Sequence, residues 1–452
     1  MSFTGLLVTV AVVISVVVGP VSARPPRYVL IEIGTFVEDI PFSDALAVNS
    51  AGEATGAARA FGTRADGTER LTIHAHRFTP EGGLVDIGDA AEIAAGFSRG
   101  WDINEAGVIA GEAVFPNIIV PAPPPRCTGP FPPPVIWRGN EVISLAIGEG
   151  VLGGVASAIN SKDVVVGWLS LLDGSTGFQA LRAFVWDGEV LRRVLPISGI
   201  PGRALDINDA GDIVGELSLN GHGVGFLIRD GEFINLRLAS TIGISTAERI
   251  NNAGQVFGRS HAGFYLWDDG ETAVLEQTPR PSLLFDLNDH GDMVGGNGGQ
   301  AFLWSEGKIY DLEDLINGGV PTGHFLFQAR AISNRMHIVG TAVRDDAPIT
   351  TQGFYLDPVT PDLTEDGVVG AADLARVLSK FGTDDPHTDL DGDGSINGFD
   401  LAIILNDWGP VPERDAHAAF LKYKAAEERR AAEGRAQAGG VASATPRAGA
   451  RR

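Results

Sequence analysis

The chain has 452 residues and a formal net charge of −23, from 57 acidic and 34 basic side chains. This excess of negative charge argues against nucleic acid and anionic membrane surfaces as partners. The length allows a large hydrophobic core and more than one domain, while the single cysteine, Cys127, cannot form an internal disulfide. Stability therefore has to come from packing or from bound metal.

Residues 1–23 have the pattern of a secretory signal peptide. The apolar run LLVTVAVVISVVVG is too short to span a bilayer comfortably, and VSA beyond it offers small residues for cleavage after Ala23. No Lys or Arg precedes the run, so an uncleaved membrane anchor stays open as the alternative. We expect a secreted protein, extracellular or attached to the cell surface, with no membrane span after cleavage.

A hairpin pattern recurs seven times after this segment. The copy ALDINDAGDIVGE at 204–216 has an alternating apolar run, a polar turn and a second apolar run, which is typical of two antiparallel strands. A glycine follows seven positions after each turn residue. Turn chemistry explains the polar residues, and a ligand-binding mouth is the alternative. The turn residues are Asn49, Asn104, Asn160, Asn208, Asn251, Asn288 and Ser333.

A second strand pair, such as GFLIRDGEFINL from Gly225, lies between successive hairpins, so one unit contains four antiparallel strands. Successive turn asparagines are 37 to 56 residues apart, which is the length of a propeller blade. The opening strand RYVLIEIG and the closing strand TTQGFYLDP complete a unit only together. We therefore predict a mainly β fold, a seven-bladed β-propeller over residues 25–360, closed where residues 27–34 pair with residues 351–357.

The combination of an AFLW-DG strand pair with A-x-x-IN-x-x-G-x-VVG resembles the extracellular HAF repeat family, a pattern of exported bacterial proteins. The resemblance covers most of the chain and implies export but no chemistry. His74 and Ala75 match the first two residues of the family's name, and His76 replaces the aromatic third. His74 and His76 share one strand face and would suit a metal, but without a third ligand we interpret them as ordinary strand surface.

Two aspartate-rich segments follow the repeats, DLTEDGVVGAADLARVLSKFG from Asp362 and DLDGDGSINGFDLAIILNDWG from Asp389. Aspartate at loop positions one, five and twelve with glycine at position six is the pattern of an EF-hand calcium loop. We predict two Ca²⁺ sites, the second the stronger. The ligands predicted in the first loop are the side chains of Asp362, Thr364, Asp366 and Asp373 and the carbonyl of Val368. Those predicted in the second loop are Asp389, Asp391, Asp393 and Asp400, the carbonyl of Ser395, and Asn397 through a water.

The duplicated loop-plus-helix unit, with aspartate instead of glutamate at position twelve, resembles dockerin type I. The resemblance implies a small α-helical, EF-hand-like calcium module over residues 361–410 that binds a cohesin-like partner and is associated with polysaccharides. Loop positions that hold hydroxyl residues in cellulosomal dockerins hold Ala, Gly and Phe here, so another envelope or extracellular protein is an open alternative. Apolar residues at helical spacing predict two helices packed face to face. These residues are Leu374, Val377, Leu378, Phe381, Leu401, Ile404, Leu405 and Trp408.

Residues 411–452 form a basic tail rich in Ala and Arg, which we predict to be disordered or partly helical. The sequence contains no nucleophile elbow, phosphate loop, zinc signature or dinucleotide fingerprint, so we assign no catalytic residue. We expect a secreted, calcium-binding, non-enzymatic binding or scaffolding protein with a glycan or protein ligand on the propeller. The alternative is a polysaccharide-degrading enzyme, a glycoside hydrolase or lyase, for which a carboxylate pair at the propeller mouth would be evidence.

Overall fold

A computed structural model describes residues 25–429 with gaps at 64–66, 90–95, 116–131, 146–150, 173–178, 195–199, 220, 240–242, 262, 276–282, 346–348, 413 and 426. The predicted signal peptide lies outside the described residues. None of the helices in the described part of the chain has the length and apolar character needed to cross a bilayer.

Seven four-stranded antiparallel sheets follow one another along the chain. Blade 1 contains β2 (Ser43–Val48), β3 (Ala54–Thr63), β4 (Glu69–Thr79) and β5 (Gly83–Asp86); blade 2 contains β6 (Ser98–Ile103), β7 (Ile109–Ala113), β8 (Pro134–Arg138) and β9 (Glu141–Ser144). Blade 3 contains β10 (Val151–Ile159), β11 (Val165–Leu172), β12 (Gln179–Trp186) and β13 (Leu191–Arg193); blade 4 contains β14 (Gly202–Ile207), β15 (Ile213–Leu219), β16 (His222–Arg229) and β17 (Glu232–Asn235), and the short helix α1 (Leu236–Ala239) follows it.

Blade 5 contains β18 (Ile244–Ile250), β19 (Val256–Ser260), β20 (Gly263–Asp268) and β21 (Glu271–Leu275); blade 6 contains β22 (Leu283–Leu287), β23 (Met293–Gly296), β24 (Ala301–Ser305) and β25 (Lys308–Asp311), followed by a 3₁₀ turn at Glu313–Leu315. Blade 7 contains β26 (His324–Ile332), β27 (Ile338–Arg344), β28 (Thr350–Val359) and the first strand of the chain, β1 (Arg27–Glu32). The first strand of each blade contacts that of the next, so seven inner strands surround a central channel.

The ring closes through β1, which pairs with β28 from Arg27 opposite Val359 to Glu32 opposite Phe354. This pairing confirms the predicted closure and the predicted seven-bladed propeller. Because β1 is the outermost strand of blade 7, the hydrogen bonds of one sheet hold the two ends of the repeat region together.

The turn asparagines join neighbouring blades. In blade 4, Asn208 Oδ1 accepts a hydrogen bond from the backbone N–H of Asp212 at 2.9 Å, and Nδ2 donates to the carbonyl of Asn251 in the next blade at 3.2 Å. All six asparagines make the same bond to the following blade, at 3.0 to 3.3 Å. Their exposed fractions are 2 to 4%, so these side chains are buried between blades and do not line a mouth.

Blade 7 has Ser333 at this position, and a serine has no amide to reach the next blade. His337, four residues later, lies beside the turn of blade 1, where a Cβ at Gly52 would be 3.9 Å from its Nε2. The hydroxyl of Ser333 accepts a hydrogen bond from the backbone N–H of His337 at 3.1 Å, which keeps the turn. Blade 7 thus keeps the turn without the amide bond that the six asparagines make to the next blade.

The recurring glycine has a steric cause. At each of its seven positions a Cβ would lie 2.0 to 2.3 Å from a backbone carbonyl oxygen of the inner strand, at a point where the pairing register shifts by one residue or adjoins such a shift. Gly215, for example, faces the carbonyl of Arg203 and the ring of Phe226. Only glycine allows the bulged inner strand to approach this closely. The tryptophans that recur in the units are buried in the blades, as the repeat pattern predicts; they are Trp137, Trp186, Trp267 and Trp304.

Residues 361–410, here called the two-helix module, contain β29 (Val368–Val369), α2 (Ala371–Ser379), α3 (Gly398–Asn406) and β30 (Gly409–Pro410). Val377 and Ile404 are fully buried between the helices and pack with Val359 of β28. The prediction that the helices pack their apolar faces together is confirmed for half of each face, and the other half points to solvent. The exposed residues are Leu378, Phe381, Leu405 and Trp408, with exposed fractions of 50 to 60%.

The two-helix module makes several polar contacts with the propeller, among them a buried one at Asn317. Asn317, just after blade 6, donates from Nδ2 to the carbonyls of Pro386 at 2.8 Å and Asp389 at 2.7 Å. Its Oδ1 accepts from Nε of Arg27 in β1 at 3.0 Å. Arg27 also lies against Gly392, where a Cβ would come within 2.3 Å of Nε, so a side chain at that position would displace the arginine.

The tail returns to the propeller as a helix over residues 416–425 and again over 427–429. Phe420 and Tyr423 are buried against blades 5 and 6, where the Tyr423 ring meets Trp304 edge to face at 5.5 Å. Tyr423 Oη donates to the carbonyl of Gly291 at 2.7 Å. Arg414, before the helix, forms two hydrogen bonds with the buried carboxylate of Asp292 at 2.7 and 2.8 Å.

Candidate metal and channel sites

The second aspartate loop brings three carboxylates together. Asp389, Asp391 and Asp393 each offer an oxygen, and the three oxygens lie within 4.8 Å of one another. Short turns produce this convergence, since Asp389 accepts hydrogen bonds from the backbone N–H groups of Gly392 and Gly394. Burial and the neighbouring carboxylates, that of Asp400 included, raise the pKa of Asp391. The cluster is therefore a site of concentrated negative charge.

Asp400, at loop position twelve, ties the loop to α3. Its carboxylate is fully buried and accepts hydrogen bonds from the backbone N–H groups of Leu390 at 2.9 Å and Asn397 at 2.7 Å. Asn397 caps α3 and donates from Nδ2 to Asp393 and to the Ser395 carbonyl, both at 3.0 Å. Five of the six predicted ligands of this loop are linked by hydrogen bonds, and the carboxylate of Asp389 lies beside those of Asp391 and Asp393.

The first loop is held by similar hydrogen bonds to its aspartates, but its carboxylates do not converge as closely. Asp373, fully buried at position twelve, accepts from the backbone N–H and hydroxyl of Thr364 and from the N–H of Gly370. Asp362 accepts from the N–H groups of Asp366 and Gly367. Among the described residues, only the second loop gathers three carboxylates closely enough to hold a metal. The carbonyl of Val368 belongs to β29, which pairs with β30.

The donor set fits a hard divalent cation. The second loop supplies carboxylate oxygens and the carbonyl oxygen of Ser395, which suit Ca²⁺, and the three residues of the cluster include no histidine or cysteine. When bound, Ca²⁺ would neutralise the clustered charge, with Asp389, Asp391, Asp393 and Asp400 as its carboxylate ligands. The assignment of individual residues as Ca²⁺ ligands stays a prediction.

His74 and His76 are buried, and each ring contacts a different partner. The interpretation of the pair as ordinary strand surface is therefore wrong. His74 and His76 have no exposed area. Nδ1 of His74 lies 2.9 Å from Asp86 Oδ2, and Nε2 of His76 lies 2.7 Å from the carbonyl oxygen of Asp44. Burial lowers the pKa of His76. Both rings serve the packing of blade 1.

A second group of charged residues, which the repeat pattern alone does not reveal, lies in the central channel. Asp102, Asp206 and Asp286 stand two positions before the turn asparagines of blades 2, 4 and 6, and Arg249 holds the same position in blade 5. Burial is the main cause that raises the pKa of Asp102 to about 6 and of Asp206 to about 7. The sequence signal for this group is a charged residue two positions before the turn residue, where the three other units have alanine.

These aspartates also join blades. Asp102 accepts from the backbone N–H of Ile159 in blade 3 at 2.8 Å, and Asp206 accepts from that of Ile250 in blade 5 at 2.8 Å. Asp286 lies 3.4 Å from Nε of Arg249. The carboxylates are thus engaged by the backbone, and the alternative of a polysaccharide-degrading enzyme stays a prediction.

Comparison with known proteins gives weak structural similarity only. No family model and no curated protein matches the sequence. The acylaminoacyl peptidase of Pyrococcus horikoshii is 13% identical with a TM-score of 0.38; the match covers 68% of this chain and 59% of the peptidase. The β-propeller domain of the Trilobed protease from Pyrococcus furiosus is 11% identical, with 72% and 95% covered and a TM-score of 0.31. TolB from Acinetobacter baumannii is 11% identical, with 67% and 79% covered and a TM-score of 0.32. The assignment of the fold therefore depends on the strand pairing.

Proposed function

We propose that this chain is an exported calcium-binding scaffold protein without catalytic activity. The propeller presents a recognition surface for a glycan or protein. The two-helix module is a dockerin-like module that holds Ca²⁺ and attaches the propeller to a cohesin-like or other envelope or extracellular protein. The observation that carries the proposal is the convergence of Asp389, Asp391 and Asp393 beside the buried Asp400.

The exposed half of the helix faces supports a role in attachment. Phe381 follows α2 and Trp408 follows α3, and 52% and 50% of their surfaces are accessible. Phe399, at the start of α3, is 70% exposed. Apolar side chains of this size rarely cluster on a free surface without a partner. The two loops hold the helices that carry these residues, so metal binding would order the attachment surface.

The test is calcium titration by calorimetry on the full chain after chelation. We expect binding at two sites, and loss of the tighter one in the Asp391→Asn, Asp393→Asn variant. Asp384→Asn, an exposed aspartate outside the loops, is the matched control and should bind as the wild type does. A wild-type chain that takes up no calcium, with unchanged helicity on chelation, would refute the metal role.

Attachment is tested by capture from secreted and envelope material, with calcium and with chelator. We expect calcium-dependent capture that the Phe381→Ala, Trp408→Ala variant loses. Leu421→Ala, which removes a similarly exposed apolar side chain from the tail helix, should leave capture unchanged. Capture that is independent of calcium, or equal in the two variants, would contradict the attachment role.

A further inference from the structure

One arginine of the central channel, Arg330, stacks on an aromatic ring but has no hydrogen-bond or ion-pair partner among the described residues. Arg330 lies on the inner strand β26, and its guanidinium stacks on the ring of Phe285 in blade 6 at 4.0 Å from the ring centroid. The strand pairing skips Arg330, so this residue is a bulge and its side chain is free of the regular alternation. Within the described part of the chain, no hydrogen bond or ion pair to its guanidinium is found. A half-buried group with five N–H donors is therefore available to a ligand.

Two further arginines come close to Arg330. Arg99 of β6 pairs with Asp44 at 3.2 Å and stacks on Trp101 at 5.2 Å, and its Nε is buried without a hydrogen bond. Arg249 lies on β18, the inner strand of blade 5. Burial and these two positive charges lower the pKa of Arg330 to about 10. The inner strands of blades 2, 5 and 7 thus each carry an arginine, and the positive charges of Arg99 and Arg249 act on Arg330.

The surroundings select the kind of anion. A planar carboxylate matches the fork of a guanidinium with two parallel hydrogen bonds. Asp44 and Asp286 are close enough to affect the charge of Arg330, so a dianion such as phosphate would meet repulsion that a single negative charge meets less. The faces of Phe285 and Trp101 add apolar surface beside the arginines. The combination favours a monocarboxylate with a ring or another apolar face.

We propose that the central channel of the propeller binds a small monocarboxylate ligand, with Arg330 as the main anchor and Arg99 beside it. This inference rests on the recognition role of the propeller proposed above and names the class of its ligand. It does not depend on the calcium loops. Two classes of ligand carry such a carboxylate, namely acidic sugars and aromatic acids.

The experiment is calorimetric titration of the full chain with glucuronate, benzoate, glucose and inorganic phosphate. We expect glucuronate or benzoate to bind, and glucose and phosphate to bind at least about tenfold more weakly. Glucuronate differs from glucose by its carboxylate, so this pair isolates the charge. The stronger of the two carboxylates identifies the source as sugar acid or aromatic acid.

Arg330→Gln should weaken carboxylate binding by at least about tenfold, the usual effect of losing a charge-assisted pair of hydrogen bonds. Arg192→Gln, an exposed arginine of blade 3, is the matched control and should bind as the wild type does. Equal affinity in the two variants, with both folded by circular dichroism, overturns the proposal. Equal binding of glucose or phosphate, or no carboxylate binding by the wild type, also overturns it.

The titration is repeated in chelator and with the Asp391→Asn, Asp393→Asn variant. We expect carboxylate binding to persist in both cases. The failure of calcium binding and the failure of the channel site then appear as separate results.

Discussion

At the scale of single residues, Asn208 shows how one side chain satisfies two blades. Its oxygen closes its own turn, and its nitrogen donates to the carbonyl of Asn251 in blade 5. Without this side chain the buried N–H of Asp212 would lose its partner, and the carbonyl of Asn251 would keep only the hydrogen bond from Gly254. The asparagine is therefore a structural link between blades.

We expect Asn208→Ala to lower the free energy of unfolding by about 1–3 kcal/mol, the usual cost of leaving buried polar groups unpaired. Denaturant unfolding of the full chain would measure the loss. Asn252→Ala is the matched control, because Asn252 also joins two blades but makes exposed bonds, to Asp209 and Asp289. Equal losses in the two variants would contradict the role of the buried amide.

At the scale of elements, the blades were predictable from sequence because each hairpin carries its own turn and its own periodicity. The closure by β1 was predictable for the same reason, since its pattern lacks a partner within the first unit. The packing of the tail was not predictable, because only two large apolar residues of the tail, Phe420 and Tyr423, make the contact. The residues that they contact are more than 100 positions away in the sequence. The channel site was hidden as well, because only the bulged strand places Arg330 over Phe285.

The tail supplies blade 6 with an arginine that blade 4 has in its own third strand. In blade 4, Arg229 at the end of β16 pairs with Asp212 and reaches Gly254 in the turn of the next blade. Blade 6 has Ser305 at the position of Arg229. Arg414 from the tail occupies the missing arginine's place, between Asp292, Ser305 and the next turn at Met336.

We expect Arg414→Ala to destabilise the propeller by about 3 kcal/mol, because the carboxylate of Asp292, 1% exposed, would lose its only charged partner among the described residues. Adding Asp292→Asn to that variant should restore part of the loss. Chemical denaturation of the single and double variants measures both effects.

The control is Arg192→Ala, because Arg192 forms an exposed ion pair with Asp187 that contributes little to stability. If Arg414→Ala were as mild as this control, the tail would be a surface attachment without a role in blade 6.

At the scale of the whole molecule, the two-helix module is attached to the propeller on both sides. It follows β28 directly, and the tail that leaves it packs on blades 5 and 6. Between these attachments, Asn317 holds the carbonyl of Asp389, the first residue of the second loop. A cation bound in that loop would therefore act on a part of the chain that contacts the ring itself.

Calcium binding in the second loop should therefore stabilise the propeller as well as the module. At a free calcium concentration of 100 times the dissociation constant, linkage gives about 2.7 kcal/mol. We expect calcium to raise the unfolding midpoint of the full chain, followed by tryptophan fluorescence, since Trp137, Trp267 and Trp304 are buried in the blades. Asn317→Ala should reduce the calcium-dependent shift of the tryptophan midpoint, because it removes two hydrogen bonds between the propeller and the module. Should calcium shift only the far-ultraviolet helical signal and leave the tryptophan midpoint unchanged, the module would be an independent domain tethered to an unresponsive ring.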